Sequence, residues 1–160
     1  MFIRTASERD LASIRALLVE TWHATYDRIY GAERVAEITD RWHSIDALKV
    51  RLTKPRSEFL VADDGTEIGG MAFASADGEG AIVTLLQLYV LPRHQGRGIG
   101  GLLLDEVIDS FPEARLIRLE VEQENDRAVA FYKACGFVEK GSAPSPGGGE
   151  TSVVMERPLG

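Results

Sequence analysis

Apolar residues recur at two different periods along this chain, and the change of period divides it into elements. Leu11, Ile14, Leu17 and Leu18 fall three or four residues apart, the stripe of an amphipathic helix. Ser7 and Asp10 precede that stripe at capping-box spacing, so a helix is predicted from about Ser7 into the twenties. Phe2 to Thr5 reads as a short strand before it. Gly31 breaks the helical stretch. A second helical region is predicted from about Glu33 to Leu52, stopped at Lys54-Pro55.

From Glu58 the elements become short and β-rich. Glu58–Ala62, Thr66–Ala76 and Ala81–Val90 read as strands, separated by the turns Asp63-Asp64-Gly65 and Asp77-Gly78-Glu79-Gly80. Gly69-Gly70 marks a bulge within the second of them. A helical face returns with Ile99, Leu103 and Val107, in a helix of about Gly98 to Ser110 that Pro112 stops. Arg115–Val121 is a strand. Asn125 caps a helix to Ala134, and Gly136 ends it in the left-handed region. Phe137–Lys140 starts a strand, Ser142–Glu150 is a flexible loop, and Thr151–Glu156 is the last strand. Strand, helix, strand implies a right-handed crossover, so the strands ending at Val90 and Val121 should be parallel. The prediction is one α/β domain of the mixed α+β kind over residues 1–160. Its central mixed sheet has about six to seven strands, an antiparallel meander followed by a parallel βαβ crossover, flanked by about four helices.

Composition narrows the function classes. A chain of 160 residues suffices for one sizeable core. A net charge of −7 argues against a nucleic-acid binder. No apolar run approaches the roughly 20 residues of a membrane span, and MFIRTASERD lacks the apolar centre of a signal peptide. No membrane association is expected, and a cytoplasmic location is. Cys135 is the single cysteine, which excludes an internal disulfide, and it reads as a small buried apolar residue. His23, His43 and His94 lack metal-ligand spacing, so no metal is expected; packing or solvent roles suit them better than substrate contact.

The stretch from Leu85 to Glu106 carries the chemistry. An apolar strand ends at Val90, and four glycines (Gly96, Gly98, Gly100, Gly101) lead straight into a helix. Such a turn holds phosphate, because free N–H groups and the positive end of the helix dipole face outward. Arg93, His94 and Arg97 add a local basic cluster suited to anion contact. Gly96-Arg97-Gly98-Ile99-Gly100-Gly101 formally matches the dinucleotide fingerprint G-x-G-x-x-G, with Glu120 about 20 residues on. That fingerprint wants its first glycine directly after the strand, but Leu91 to Gln95 intervene, and the preceding strands form a meander. A dinucleotide-dependent oxidoreductase is therefore an unfavoured reading. No Walker pattern is present.

Gln95-Gly96-Arg97-Gly98-Ile99-Gly100 resembles [QR]-x-x-G-x-[GA], the pyrophosphate loop of the GNAT acetyltransferase superfamily. Leu119-Glu120-Val121, Asn125, Ala128, Phe131-Tyr132 and Gly136-Phe137 resemble the family's second block at its usual separation. The resemblance spans the chain, least securely from Trp22 to Pro55.

The resemblance implies an acetyl-CoA-dependent N-acetyltransferase that moves an acetyl group to a primary amine by direct attack in a ternary complex. It implies strands that splay apart around the pantetheine. Backbone groups of Leu88, Tyr89 and Val90 would bind the pantetheine and polarise the thioester carbonyl. Amides of Gln95, Gly96, Arg97, Gly98, Ile99, Gly100 and Gly101 would hold the diphosphate, with Asn125 and Ala128 as further cofactor contacts. Tyr132 would protonate the departing thiolate. Glu120 would serve as base, directly or through water, with Glu122 and Glu124 as substitutes; Asp126 helps the helix start. The acceptor is a small amine or a peptide N-terminus, and the acidic balance leans slightly to a cationic one. Trp22, Tyr26 and Tyr30 lie in an aromatic-rich segment that either packs between helices or lines the acceptor pocket. A non-catalytic acyl-CoA-binding regulatory module on the same fold is the alternative of another class. Pairing through an edge strand or the last strand would make a homodimer.

Overall fold

A computed structural model describes residues 1–144 and 151–160. Strand β1 (Phe2–Thr5) leads through a 3-10 turn (Glu8–Asp10) into helix α1 (Leu11–Tyr30). At this junction the Asp10 carboxylate accepts the Ser7 backbone N–H at 2.8 Å and is gripped by both ends of the Arg4 guanidinium at 2.8 and 2.9 Å. The predicted stripe is buried: Leu11, Ile14, Leu17 and Leu18 all face the sheet, and Trp22 and Tyr26 extend the same face.

Gly31, at φ +86°, ends α1 and opens helix α2 (Ala32–Trp42). The expected single helix from Glu33 to Leu52 is two. The chain leaves the helical region at His43, and Ser44 caps helix α3 (Ile45–Arg51), its Oγ accepting the Ala47 N–H at 3.1 Å. With helices α4 (Ile99–Asp109) and α5 (Asp126–Ala134) the described residues hold five α-helices, against about four expected.

Strands β2 (Ser57–Asp63), β3 (Ile68–Ala76) and β4 (Ile82–Val90) form the expected meander. Ala62 pairs with Gly70 and Asp63 with Ile68, which leaves Gly69 as the bulged residue. A second bulge was not foreseen: Phe73 pairs with Gln87 and Ala74 with Leu85, so Leu86 is unmatched. Strands β5 (Leu116–Glu122), β6 (Val138–Pro144) and β7 (Thr151–Pro158) complete a seven-stranded sheet in the order β1-β2-β3-β4-β5-β7-β6. Ser142, Ala143 and Pro144, expected in a loop, pair with β7 instead. The rest of that expected loop, 145–150, lies outside the described residues.

β4 and β5 are the parallel pair, registered only from Ile82↔Leu116 to Leu85↔Leu119. Beyond Leu85 they part, directly at the Leu86 bulge. Cores on the two faces differ. Helices α4 and α5 cover Ala72, Ala74, Val83, Leu85, Ile117 and Leu119. α1 and α3 cover Phe59, Val61, Met71 and Phe73. A third cluster joins α1 to α2 through Trp22, Tyr26, Val35 and Ile38. The parting of β4 and β5 therefore opens a passage between two differently built faces.

Candidate active site

That passage is a cleft of about 690 Å³, within the range of small-molecule sites. Its first wall is the end of β4. The Leu91 N–H bonds the Gly69 carbonyl on β3 at 2.8 Å. Backbone polar groups alternate sides along a strand, so Leu88 and Val90 turn theirs to the side where β5 has moved away. Gln95 Nε2 donates to the Val90 carbonyl at 2.9 Å and ties the glycine loop back to this strand.

The loop is open backbone. Gly96 and Gly98 both have φ +79°, a region closed to most residues with a Cβ. No side chain caps α4 at Gly98, so its first N–H groups are available to a ligand. A Cβ on Gly96, Gly98 or Gly101 would meet nothing within 4 Å, whereas one on Gly100 would lie 3.1 Å from the Phe131 ring. Gly100 is thus small so that α4 can approach α5, and the others leave space on the loop's outer side. This arrangement fits a diphosphate.

The basic cluster beside the loop is largely spent on protein partners. Arg93 bonds Glu67 and Glu20, and His94 Nε2 lies 2.6 Å from Glu67 Oε1. Arg97 is exposed and does not line the cleft.

The second wall comes from β5 and α5. Val121 and Leu119 point to the α4–α5 core, which turns Glu120 and Glu122 to the opposite face. Glu120 is exposed and lines the cleft. Glu122 is buried, and its Oε2 accepts the Tyr30 hydroxyl at 2.6 Å. Tyr30 itself is set back from the cleft. Asn125 caps α5 by accepting the Ala128 N–H at 3.3 Å and donates Nδ2 to the Tyr26 hydroxyl at 3.3 Å, so it links α5 to α1. Tyr132 lines the cleft from α5, buried edge-on against Phe131 and Phe137. Burial pushes its phenol well above the ordinary range, with Tyr26 adding to the effect, so its hydroxyl stays protonated and is a donor at neutral pH. Cys135 is partly rather than fully buried, and burial raises its thiol too.

The third wall is aromatic. Trp22 and Tyr26 are core and cleft at once: both are buried with their rings 4.6 Å apart, and both line the cavity. Three further residues of this wall, His43, Arg51 and Gln87, were not among the expected site residues. Gln87 carried a signal, as the one polar side chain in Leu85-Leu86-Gln87-Leu88-Tyr89-Val90. Arg51 carried none; it sits among other charged residues at a helix end.

Comparison with known proteins agrees with this geometry. The acetyltransferase (GNAT) family profile matches residues 11–137. The IAA acetyltransferase of Azospirillum brasilense is 32% identical over 110 residues, 68% of this chain and 72% of that one. The N-alpha-acetyltransferase RimI of Mycobacterium tuberculosis is 34% identical over 122 residues, 69% of this chain and 74% of that one. The crystal structure of PaiA N-acetyltransferase from Thermoplasma acidophilum in complex with coenzyme A matches the fold at TM-score 0.90, over 99% of this chain and 98% of that chain, at 24% identity. The chain belongs to the acetyltransferase (GNAT) family.

Proposed function

We propose that this protein transfers the acetyl group of acetyl-CoA to a primary amine by direct attack in a ternary complex. One observation carries the reading: β4 and β5 part beside an uncapped, glycine-lined helix start, with a protonated tyrosine on the facing helix. Acetyl-CoA would supply the activated acetyl thioester. The open N–H groups from Gln95 to Gly101 are suited to its diphosphate. The outward-turned backbone groups of Leu88 and Val90 are suited to the pantetheine amides and to polarising a carbonyl. A neutral backbone donor of this kind stabilises developing oxyanion charge without needing a proton.

The acceptor amine must lose a proton to attack, since a lysine-like amine has a pKa of about 10.4. Glu120 is the base in this reading, directly or through one water, because it stands free in the cleft wall while Glu122 is held by Tyr30. Tyr132 holds the proton for the leaving thiolate. The N-alpha-acetyltransferase RimI relative supports peptide N-termini beside small amines as acceptors in this reading.

Calorimetry with acetyl-CoA, paired with thiol release across polyamines, amino acids, aminoglycosides and N-terminal peptides, tests this. Tight acetyl-CoA binding and amine-dependent thiol release are expected. Binding with no release for any amine would leave a regulatory acyl-CoA module instead. NAD(P) binding without CoA binding would overturn the reading altogether.

A further inference from the structure

The wall formed by α3, the end of α2 and β4 holds a cation with no anion to meet it. Arg51 is partly buried and lines the cleft, and no carboxylate pairs with it among the described residues. Its Nη2 donates to the Trp42 carbonyl at 2.6 Å and reaches His43 Nδ1 at 3.4 Å. Its Nη1 is buried without a partner among the described residues, and the guanidinium carbon stands 5.9 Å from the Phe73 ring centre. Taking a charge out of water with only neutral partners is costly. Burial accordingly lowers the pKa of this arginine.

His43 sharpens the picture. His43 Nδ1 lies 3.4 Å from Arg51 Nη2, and the Trp42 carbonyl that accepts from Arg51 also bonds the His43 ring. The ring is neutral, because burial together with Arg51 and Arg15 lowers its pKa to about 3. Its Nε2 is buried without a partner among the described residues. Trp22 Nε1–H is in the same condition: it lies beside the Tyr89 hydroxyl but outside hydrogen-bond geometry. The Trp22 and His43 rings are 5.5 Å apart. Arg51 Nη1 and Trp22 Nε1 are thus unpaired donors at this wall among the described residues, one of them charged. Gln87 Oε1, on the same cleft, is a buried acceptor without a partner among the described residues, which suits an N–H of the same ligand. Water would satisfy the hydrogen bonds but not the charge.

We propose that Arg51, with His43 beside it, forms an anion subsite of the cleft that selects amine acceptors carrying a carboxylate. This rests on the acetyl-transfer reading, and it places the acceptor among amino-acid-like molecules rather than polyamines. The carboxylate docks at Arg51 on the α1–α3 side, and the amine reaches toward Glu120 where β4 and β5 part.

Equilibrium binding to the CoA-loaded protein tests the subsite independently of turnover. The probes are β-alanine, 4-aminobutanoate and glycylglycine, each against its carboxamide, with 1,4-diaminobutane as the dication. A charge-assisted pair is worth roughly 10- to 100-fold, so at least one acid should bind that much more tightly than its amide. kcat/KM from thiol release should show the same preference. Arg51→Met should bring the ratio to about one, and Arg51→Lys should retain part of it, with thermal melts reporting that each is folded. Equal affinity for acids and amides in the wild type, or tighter binding of the diamine, overturns the subsite without any variant. An acid preference that survives in folded Arg51→Met overturns it as well. Acid-selective binding without thiol release would keep the subsite and remove the transferase reading.

Discussion

Tyr132 is the residue on which the chemistry and the packing depend differently. Its ring is held by Phe131 and Phe137 at centroid distances of 5.2 and 5.5 Å, and the residue also lines the cleft. Tyr132→Phe keeps the ring contacts and removes only the donor. The expected outcome is a fall in kcat of about 10²- to 10⁴-fold, the usual contribution of a positioned acid, with acetyl-CoA affinity by calorimetry little changed. Unaltered turnover with a good acceptor would remove Tyr132 from the reaction. His43 and Arg51 show the limit of reading single residues: a lone histidine and a helix-end arginine have no distinctive spacing. Their meaning comes from a 3.4 Å contact between residues on either side of a helix break.

The elements nearest the cofactor side were the most legible, because local residue chemistry determines them. The left-handed φ at positions 96 and 98 favours glycine, and Asn125 is visible as a cap because it is one. A prediction follows from the loop. Gly98→Val places a β-branched residue at φ +79°, a strain of about 1–2 kcal/mol, and puts a side chain into space that is open within 4 Å. Acetyl-CoA binding by calorimetry should be lost while circular dichroism stays native. Tight binding in that variant would refute the loop as the diphosphate site. The Leu86 bulge was illegible for a physical reason: no glycine or proline marks it, and it arises from pairing with β3. The break between α2 and α3 was hidden because no glycine or proline stands between Trp42 and Ile45.

At the scale of the molecule, the net charge and the charge of one cleft wall differ in sign. The balance of −7 leaned toward a cationic acceptor, yet the aromatic wall presents Arg51 and lies in the field of Arg15. Charge summed over a surface says little about one wall of a cleft. The same wall governs acid stability. His43 is held neutral down to a pKa of about 3, against 6.5 for an unperturbed ring. The unfolded chain therefore binds a proton that the folded one refuses, and the stability this represents is complete above pH 6.5 and lost as pH falls toward 3. By pH 4.5 the loss is about 2–3 kcal/mol at 1.36 kcal/mol per unit. Below about pH 4 the Asp10 carboxylate, held down by Arg4, adds its own loss. Urea unfolding between pH 7 and 4.5 should show the first decline in the wild type and a flatter profile in His43→Asn. An equal slope in both would mean that His43 is not the responsible group.

Among the described residues, the four registered pairs from Ile82↔Leu116 to Leu85↔Leu119, with the Arg115 and Leu116 N–H bonds to the Ala81 carbonyl, form the short backbone seam between β1-β2-β3-β4 and β5-β7-β6. The sheet is in effect two leaves on a short spine, and a molecule that bridges them acts as a clasp. Rigidity on one leaf then depends on occupancy at the other, so the clasp is mechanical as well as chemical. Coenzyme A at 100 times its Kd should add about 2.7 kcal/mol to the unfolding free energy. Amide exchange should slow along β7 and β6, two strands of the leaf opposite β4. Protection confined to the loop would mean that the leaves are already locked by α4 and α5.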